Sequence, residues 1–335
     1  MNNDRIQEIL DLMEEARLDY FLISDPQSIA YCTGYYNDPH ERMFVFMISK
    51  HGNHTLFMND LFYLDHDLDV NIVWHKDGQD AIQTIVDEMH FPGRIGIDKN
   101  WASHFLLDLM KKLPDAKYIN ASPCVDLVRM KKDLQEQVLM IESSKINDAV
   151  MEEIIPFIQE GVTEKQLAKK LDELFFKHHS TCYGAIVAFG KNAADPHHEN
   201  DDTLLRKGDC VLIDMGCVYK GYCSDMTRTF FYEGILEEEI KVYEIVKKAN
   251  EAAEAMIKPG VKLSDIDKCA RKVISDEGYG KYFTHRLGHF IGRDVHEYGD
   301  VSSVNEMEVE EGMIFSIEPG IYLEGNFGVR VEDLV

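Results

Sequence analysis

The order of helical and strand-like segments changes part-way along the chain, and this change limits the fold more than any other feature. In the first third, helix-like stretches near 80–90 and 102–113 alternate with short apolar runs such as Phe21-Leu22-Ile23, which is typical of an α/β domain. The breaker cluster Ala121-Ser122-Pro123-Cys124 ends that pattern. Beyond it, short strands in hairpin-like pairs are interleaved with helical patterns near 130–158, 164–178, 236–257 and 264–277.

This order predicts an α/β domain over residues 1–124 and an α+β domain, in which helices cover a curved antiparallel sheet, over residues 125–335. A chain of 335 residues with 45% hydrophobic content is long and apolar enough for two cores. Its net charge of -25, from 60 acidic and 35 basic side chains, repels phosphate backbones and anionic lipids. We therefore expect neither nucleic acid nor membrane as a partner.

Cysteine usage and the N-terminal segment bear on the cellular compartment. The seven cysteines are scattered without a CxxC pair, which argues against a disulfide framework and against a cysteine-ligated zinc site. The opening segment has apolar positions at helical spacing and no signal-peptide pattern, and no run of residues is apolar enough to cross a bilayer. These features predict a cytoplasmic protein with reduced thiols.

Two aspartates flank a predicted turn. The buried-strand run Val211-Leu212-Ile213 ends at Asp214, Lys220-Gly221 forms the turn, and the alternating segment from Tyr222 to Phe231 contains Asp225. In a hairpin around this turn the two carboxylates are near cross-strand partners, and like charges so placed destabilise the fold unless a cation lies between them. The alternative is that both aspartates cap turns and face solvent.

Three further candidates follow the same logic. His289 lies in HRLGHFIG, where the glycines argue against a helix and favour backbone that makes room for a site, although a lone histidine also suits a structural role. Glu318 stands where a predicted strand stops, and a surface turn is its alternative. Glu332 shares a strand face with Arg330, either as part of a site or as an exposed ion pair.

These candidates form one chemically consistent set. Four carboxylates and one histidine make an oxygen-rich ligand field, which suits Mn²⁺, Co²⁺ or Zn²⁺ in a two-ion site better than a single structural zinc. Two adjacent ions share bridging carboxylates and generate hydroxide from water at neutral pH. If these residues converge, Asp214, Asp225, His289, Glu318 and Glu332 are the ligands of a two-metal hydrolase.

Five ordered motifs carry a family resemblance. VLIDMG, GYCSDMTRTF, HRLGHFIG followed by DVHE, FSIEPGIY and GVRVED resemble the pita-bread metallopeptidases, in particular the branch of the Xaa-Pro dipeptidases (prolidases) and aminopeptidase P. The resemblance is strong over residues 125–335. It is looser before that, where Tyr31-Cys32-Thr33-Gly34-Tyr35 is similar to a segment of the family's creatinase-like N-terminal domain. The resemblance implies a pita-bread C-terminal domain and a smaller creatinase-like N-terminal domain.

The resemblance also implies roles for the metal ligands. Asp214 would chelate one ion, and Asp225 and Glu332 would bridge the two. His289 and Glu318 would bind the other ion, and Glu318 would also move a proton during the attack.

Three more positions match the family's substrate contacts. His296 would lie near the scissile carbonyl oxygen and His197 near the leaving nitrogen, with the adjacent His198 as the alternative for that position. Arg330 would hold the Glu332 carboxylate and contact substrate.

The activity implied by the resemblance is hydrolysis of Xaa-Pro bonds in small proline-containing peptides, by a dipeptidase with two divalent ions and a bridging hydroxide. Mn²⁺ is the first expectation for the metal, and a homodimer is expected because the family usually restricts entry to the site through dimerisation. The alternatives are an Xaa-Pro aminopeptidase acting on longer peptides, a non-catalytic pita-bread protein that binds peptides, and creatinase-like C–N hydrolysis without metal. The intact ligand set argues against the last two.

Two further features are the short segment after Glu332 and two His-Glu dipeptides. Members of the family usually continue beyond the last motif, whereas only 335 − 332 = 3 residues follow Glu332 here, which predicts either an incomplete chain or a site weakly supported on one edge. The dipeptides His40-Glu41 and His296-Glu297 lack the second histidine of a zincin helix.

Overall fold

A computed structural model of the protein describes residues 1–90 and 92–335, and the chain divides into two compact units, Met1–Arg129 and Met130–Val335. Both units combine helices with strands, in agreement with the predicted two-domain α+β class. The predicted boundary after Cys124 lies inside the helix Ser122–Met130, 129 − 124 = 5 residues before the observed division. Pro123 does not break this helix because it occupies the first turn, where a backbone N–H has no helical partner in any case.

Seven of the nine α-helices among residues 1–90 and 92–335 lie close to predicted helical patterns, and the other two, Pro26–Thr33 and Ser122–Met130, were not predicted. The bounds of the nine are α1 Asn3–Glu15, α2 Pro26–Thr33, α3 Ala81–Glu88, α4 Ser103–Lys112, α5 Ser122–Met130, α6 Leu134–Ile154, α7 Glu164–Lys177, α8 Glu237–Glu254 and α9 Leu263–Asp276. None of the helices among residues 1–90 and 92–335 combines the length and the apolar character that crossing a bilayer requires.

The first unit is built on a six-stranded sheet with the order β4-β3-β2-β1-β5-β6. Its strands are β1 Tyr20–Ile23, β2 Val45–Ser49, β3 Thr55–Asn59, β4 Asn71–His75, β5 Arg94–Ile97 and β6 Lys117–Asn120. All residues of the three strands β1 to β3 are buried, because alternate side chains enter two apolar clusters on opposite faces of the sheet. Phe21 packs in one cluster and Leu22 in the other.

The second unit contains short strands, most of them in antiparallel pairs. They are β7 Thr181–Cys182, β8 Ile186–Phe189, β9 Cys210–Met215, β10 Cys217–Tyr219, β11 Tyr222–Cys223, β12 Met226–Phe231, β13 Gly288–His289, β14 Asp300–Val301, β15 Ser316–Ile317, β16 Gly320–Leu323, β17 Phe327–Arg330 and β18 Asp333–Leu334. Strands β8, β9 and β12 form a three-stranded sheet with β9 in the centre.

Helices α6 and α7 cover this sheet and start at clear sequence signals. Asp133 and Thr163 cap the two helices, and each forms a reciprocal capping box with the residue three positions later. Apolar side chains of α7, including Leu167 and Phe175, pack with Val211 of β9 in one buried cluster. Each such side chain stabilises the fold by roughly 1.5–3 kcal/mol. Because the candidate ligand Asp214 is the penultimate residue of β9, this packing fixes one wall of the site.

Candidate metal centre and active site

The hairpin that carries both aspartates turns at the predicted residues. Lys220 and Gly221 both have positive φ, 50° and 83°, as a two-residue hairpin turn requires. The pairing places Asp214 directly opposite Thr227. Asp225 is therefore a diagonal neighbour of Asp214 on the same face, two positions from the direct pairing.

All eight residues predicted for the site line one cavity of about 240 Å³ in the second unit. They come from separate parts of the chain, namely from the β9–β12 hairpin, the loop before Asp201, the β13 region and the strands near the C-terminus. The residues are Asp214, Asp225, His289, Glu318, Glu332, His197, His296 and Arg330. Folding thus brings the whole predicted set together.

Three of the predicted ligands lie close enough to share one ion. A ligand atom from each of Asp225, His289 and Glu332 lies within 4.8 Å of the others. The Nε2 atom of His289 is 3.5 Å from Oδ2 of Asp225 and 3.6 Å from Oε1 of Glu318. Glu332 is almost fully buried and accepts a hydrogen bond from the Thr227 hydroxyl at 2.7 Å.

The backbone around His289 determines which ring nitrogen faces the carboxylates. Nδ1 is 3.2 Å from the carbonyl oxygen of Phe290, and a carbonyl can only accept, so Nδ1 carries the proton. Nε2 then presents a lone pair to the site, as a metal ligand must. A side chain on Gly288 would collide with the carbonyl oxygen of Ser316, which explains why a glycine precedes the histidine.

The carboxylates repel one another in a buried place. Burial, followed by the charge of Asp214, raises the pKa of Asp225 well above its usual value. Burial and the charge of Asp225 do the same to the pKa of Glu332, while burial and the charge of Glu332 raise the pKa of Glu318 to about 8. A divalent cation among these groups would offset the repulsion, and four carboxylates with one imidazole nitrogen are a suitable donor set for such an ion.

His296 lies against the ligand His289, with ring centroids 4.2 Å apart. Burial, with a further effect from His289, lowers the pKa of His296 to about 4, so its imidazole is neutral at physiological pH. The following residue, Glu297, forms a buried ion pair with Lys132 at 3.0 Å and accepts a hydrogen bond from the backbone of Arg293. The Glu297 carboxylate of this HE dipeptide therefore has a structural role as the partner of Lys132.

The segment from Glu332 to Val335 is held by backbone hydrogen bonds. The backbone N–H of Glu332 donates to the carbonyl oxygen of Thr227, and β18 pairs with β15 in the next two positions. Val335 then exchanges two backbone hydrogen bonds with Phe315. In the structure, Glu332 is thus tied to β12, and the three residues after it are tied to β15 and Phe315.

Comparison with known proteins places this site in a family. The model for metallopeptidase family M24 matches residues 138–335, and the model for the creatinase/prolidase N-terminal domain matches residues 5–131. The chain belongs to metallopeptidase family M24. It is therefore a hydrolase with the pita-bread fold over its second unit, and the predicted family and fold are confirmed.

The M24 chain is also similar to individual proteins over nearly its whole length. An uncharacterized peptidase of Staphylococcus aureus is 34% identical, over 98% of this chain and 95% of the relative. A dipeptidase from Pyrococcus horikoshii superposes with a TM-score of 0.91 at 36% identity, covering 98% of this chain and 94% of the other. A prolidase from Thermococcus sibiricus superposes with a TM-score of 0.92 at 33% identity, covering 100% of this chain and 94% of the other.

Behind the ligands of this M24 site, three side chains form a hydrogen-bonded chain that the sequence did not predict in full. Arg330 donates to the Tyr322 hydroxyl at 3.0 Å, and that hydroxyl lies 2.8 Å from Nε2 of His285. Nδ1 of His285 faces the carbonyl oxygen of Arg286 and so carries the ring proton. Burial lowers the pKa of His285 to about 4, so its imidazole is neutral and Nε2 accepts a hydrogen bond from the Tyr322 hydroxyl.

Arg330 is the centre of this arrangement. It is 3% exposed, and its guanidinium also donates to Oδ2 of Asp214 at 2.6 Å and to the Thr227 hydroxyl at 3.0 Å. The predicted partner of Arg330 was Glu332, whereas its guanidinium contacts Asp214, Thr227, Tyr322 and the backbone of Pro196. The physical reason is that Thr227 lies between the two side chains, with its hydroxyl as acceptor to Arg330 and donor to Glu332.

We expect Arg330→Lys to lower the free energy of unfolding by about 1–3 kcal/mol, because one ammonium group cannot replace a fork of donors and leaves buried acceptors unpaired. Denaturant unfolding of the metal-free protein measures this change. Arg206→Lys, at an exposed position of the same unit, is the matched control and should be neutral. Equal stability of the two variants would contradict the assigned contacts.

Tyr183 is a second residue that sequence reasoning missed. Its hydroxyl donates to the carbonyl oxygen of Ser224 at 2.8 Å, and its ring lines the cavity. A side chain on Gly216 would collide with that hydroxyl, so Gly216 makes room for Tyr183 between the two aspartates of the hairpin. The only local signal was the glycine after Asp214, which alone does not identify its partner.

Proposed function

We propose that this chain is an Xaa-Pro dipeptidase with two divalent ions per active site. The observation that carries the proposal is the convergence of five metal-ligand side chains with His197, His296 and Arg330 around one cavity. Membership of family M24 and the similarity to a dipeptidase and a prolidase support it.

Asp214, Asp225, His289, Glu318 and Glu332 would hold the two ions, which when bound lower the pKa of water and stabilise negative charge on the substrate carbonyl oxygen. Glu318 lines the cavity beside His289, and one of its carboxylate oxygens would take a proton during the attack and return it. The neutral imidazole of His296 is suited to donate a hydrogen bond to the carbonyl oxygen. His197, on the opposite loop of the cavity, would contact the leaving nitrogen.

The size of the cavity supports small peptide substrates. A space of about 240 Å³ holds a small ligand and excludes a folded polypeptide. We favour dipeptides over longer peptides because a dipeptidase and a prolidase are among the similar structures. The alternative within the same chemistry is an Xaa-Pro aminopeptidase.

Three finer points belong to the same proposal. We propose Mn²⁺ as the ion, because hard carboxylate oxygens outnumber nitrogen in the donor set. A cytoplasmic location is supported by seven cysteines that are all free thiols. A homodimer is proposed from the resemblance of the motifs to those of the Xaa-Pro dipeptidases.

Metal depletion and restoration tests the proposed activity directly. We expect the metal-depleted protein to be inactive on Xaa-Pro dipeptides, and addition of Mn²⁺ to restore cleavage. Xaa-Pro-Yaa peptides in the same assay distinguish the two specificities, since only an aminopeptidase releases Xaa from them. A protein that cleaves neither class with Mn²⁺, Co²⁺ or Zn²⁺ would refute the proposed function.

A further inference from the structure

The loop that carries His197 has little regular structure of its own. It leaves β8 at Phe189, passes through a 3-10 turn over Gly190–Ala194, and continues to Asp201. Within the loop, Asp195 accepts a hydrogen bond from the backbone N–H of His197 at 3.0 Å. Such a loop needs contacts from outside to hold one side chain in a fixed place.

Glu164, the first residue of α7, supplies those contacts. Its side chain is fully buried, and each carboxylate oxygen is within hydrogen-bonding distance of two nitrogen atoms. Oε1 accepts from the backbone N–H of Phe189 at 2.8 Å and from the Asn192 side chain at 2.9 Å. Oε2 accepts from the backbone N–H of Asp201 at 3.0 Å and lies 2.7 Å from Nε2 of His198. One carboxylate therefore ties together the start, the middle and the end of the loop.

This cluster has the composition of a metal site, since ligand atoms of Glu164, His198 and Asp201 lie within 4.8 Å of one another. The hydrogen bonds argue against that use. Four N–H groups already occupy the two oxygens of Glu164, and the Asp201 carboxylate accepts from the backbone of Thr203 at 2.7 Å. Donors rather than a cation satisfy these carboxylates.

The other side of the loop faces the candidate active site. The carbonyl oxygen of Pro196 lies 3.5 Å from Nη1 of Arg330, and a side chain on Gly328 would collide with the carbonyl oxygen of Ala193. The loop is thus packed between Glu164 and β17, and His197 lines the cavity while the neighbouring His198 turns to Glu164.

We propose that Glu164 and His198 are positioning residues, which hold the loop so that the imidazole of His197 reaches the leaving group of the substrate. This inference rests on the proposed function, because it requires that His197 contacts substrate. His198 is then the structural member of the His197-His198 pair. Within the described part of the chain, its partner Glu164 forms no hydrogen bond with any of the five proposed metal ligands.

The kinetic test uses coupling to His197. We expect Glu164→Gln to lower kcat on an Xaa-Pro dipeptide by roughly 10–100-fold, the range for groups that orient a functional side chain, with a smaller change in KM. In a His197→Ala background the same substitution should lower kcat less than about twofold, because the side chain it positions is gone. An equal factor in both backgrounds would overturn the positioning role.

A second pair of variants covers the case in which Glu164→Gln does not fold. His198→Ala should lower kcat, and His198→Gln should restore most of the loss, because its amide can donate to Oε2 of Glu164. Glu239→Gln, which removes another buried carboxylate that caps α8, is the matched control and should not change kcat. No rescue by glutamine, or one metal ion fewer per chain in His198→Ala, would overturn the proposal.

Hydrogen exchange separates this inference from the proposed function. We expect faster amide exchange in the segment 186–203 of Glu164→Gln and His198→Ala than in the wild-type protein or in Glu239→Gln. This measurement needs no substrate. Unchanged exchange would overturn the positioning role even in an active enzyme. Faster exchange in the variants, together with no Xaa-Pro cleavage by the wild-type protein, would refute the proposed function and leave only the loop contacts of Glu164 and His198.

Discussion

Replacement of Asp225 by asparagine is expected to have opposite effects on the metal-free and the metal-loaded protein. Without metal, Asp225 is a buried carboxyl group, and burial together with the charge of Asp214 raises its pKa. An amide removes that repulsion, so at pH 8 the free energy of unfolding of the metal-free variant should rise by about 1–2 kcal/mol. With metal, the loss of a proposed bridging charge should lower the bound metal and reduce activity more than about 100-fold.

Two measurements check this prediction. Denaturant unfolding with a chelator and then with Mn²⁺ gives the two stabilities, and elemental analysis of the dialysed protein gives the bound metal. Asp209→Asn, at the start of the same hairpin, is a control because its carboxylate accepts from the backbone of Arg206 and does not line the cavity. Unchanged metal content and activity in Asp225→Asn would rule out its role as a ligand.

The hairpin shows how far local sequence signals reach. Lys220-Gly221 identified the turn because glycine and a preceding positive-φ residue suit a two-residue loop. Spacing alone centred the hairpin midway between Asp214 and Asp225, which is one residue too early, because the structure pairs Asp214 with Thr227 and leaves Asp225 as its diagonal neighbour. Register depends on contacts along the entire ladder and on Tyr183, which lies outside the hairpin.

Helix ends were predictable where caps and proline occur. The pattern over 130–158 predicted a longer helix than α6, which starts after the cap Asp133 and gives way to a 3-10 turn at Ile155–Phe157. Pro156 explains that change, because it cannot donate the hydrogen bond that would continue the α-helix. The cap Asp133 and Pro156 are both local signals. The apolar periodicity extends beyond both of them, and for that reason it predicted a longer helix.

The supporting side chains of the site were not predictable from local patterns. Glu164 contacts residues 25 to 37 positions away, and the Tyr322 hydroxyl meets His285 from a distance of 37 positions. Motifs record residues that do the same chemistry in many proteins, but they do not record which buried carboxylate holds a loop. Such pairs depend on tertiary packing, and so the structure was needed to separate His197 from His198.

Metal binding is expected to be pH-dependent, with affinity rising by at least about 10-fold per pH unit between pH 6 and 7. Burial and the charge of Glu332 raise the pKa of Glu318 to about 8, and burial with mutual repulsion raises the pKa of the Asp225 and Glu332 pair. In this range Glu318 of the metal-free site thus holds about one proton, which the ions must displace, and the raised pKa of the pair acts in the same direction. The dependence should flatten above pH 8, where Glu318 has already lost its proton.

The same groups fix the sign of the stability change. A carboxyl group whose pKa is higher in the folded than in the unfolded chain stabilises the fold at a pH below its unfolded value, and that contribution is lost as the pH rises through the folded value. The metal-free protein should therefore become less stable from pH 5 to pH 8, and Mn²⁺ should restore stability most at the upper end. Calorimetric titration with Mn²⁺ in two buffers of different ionisation enthalpy counts the released protons, and Glu318→Gln should release one proton fewer. A proton release near zero at pH 6.5 in the wild-type protein would show that the carboxylates are already ionised without metal, and the electrostatic account of this centre would then be wrong.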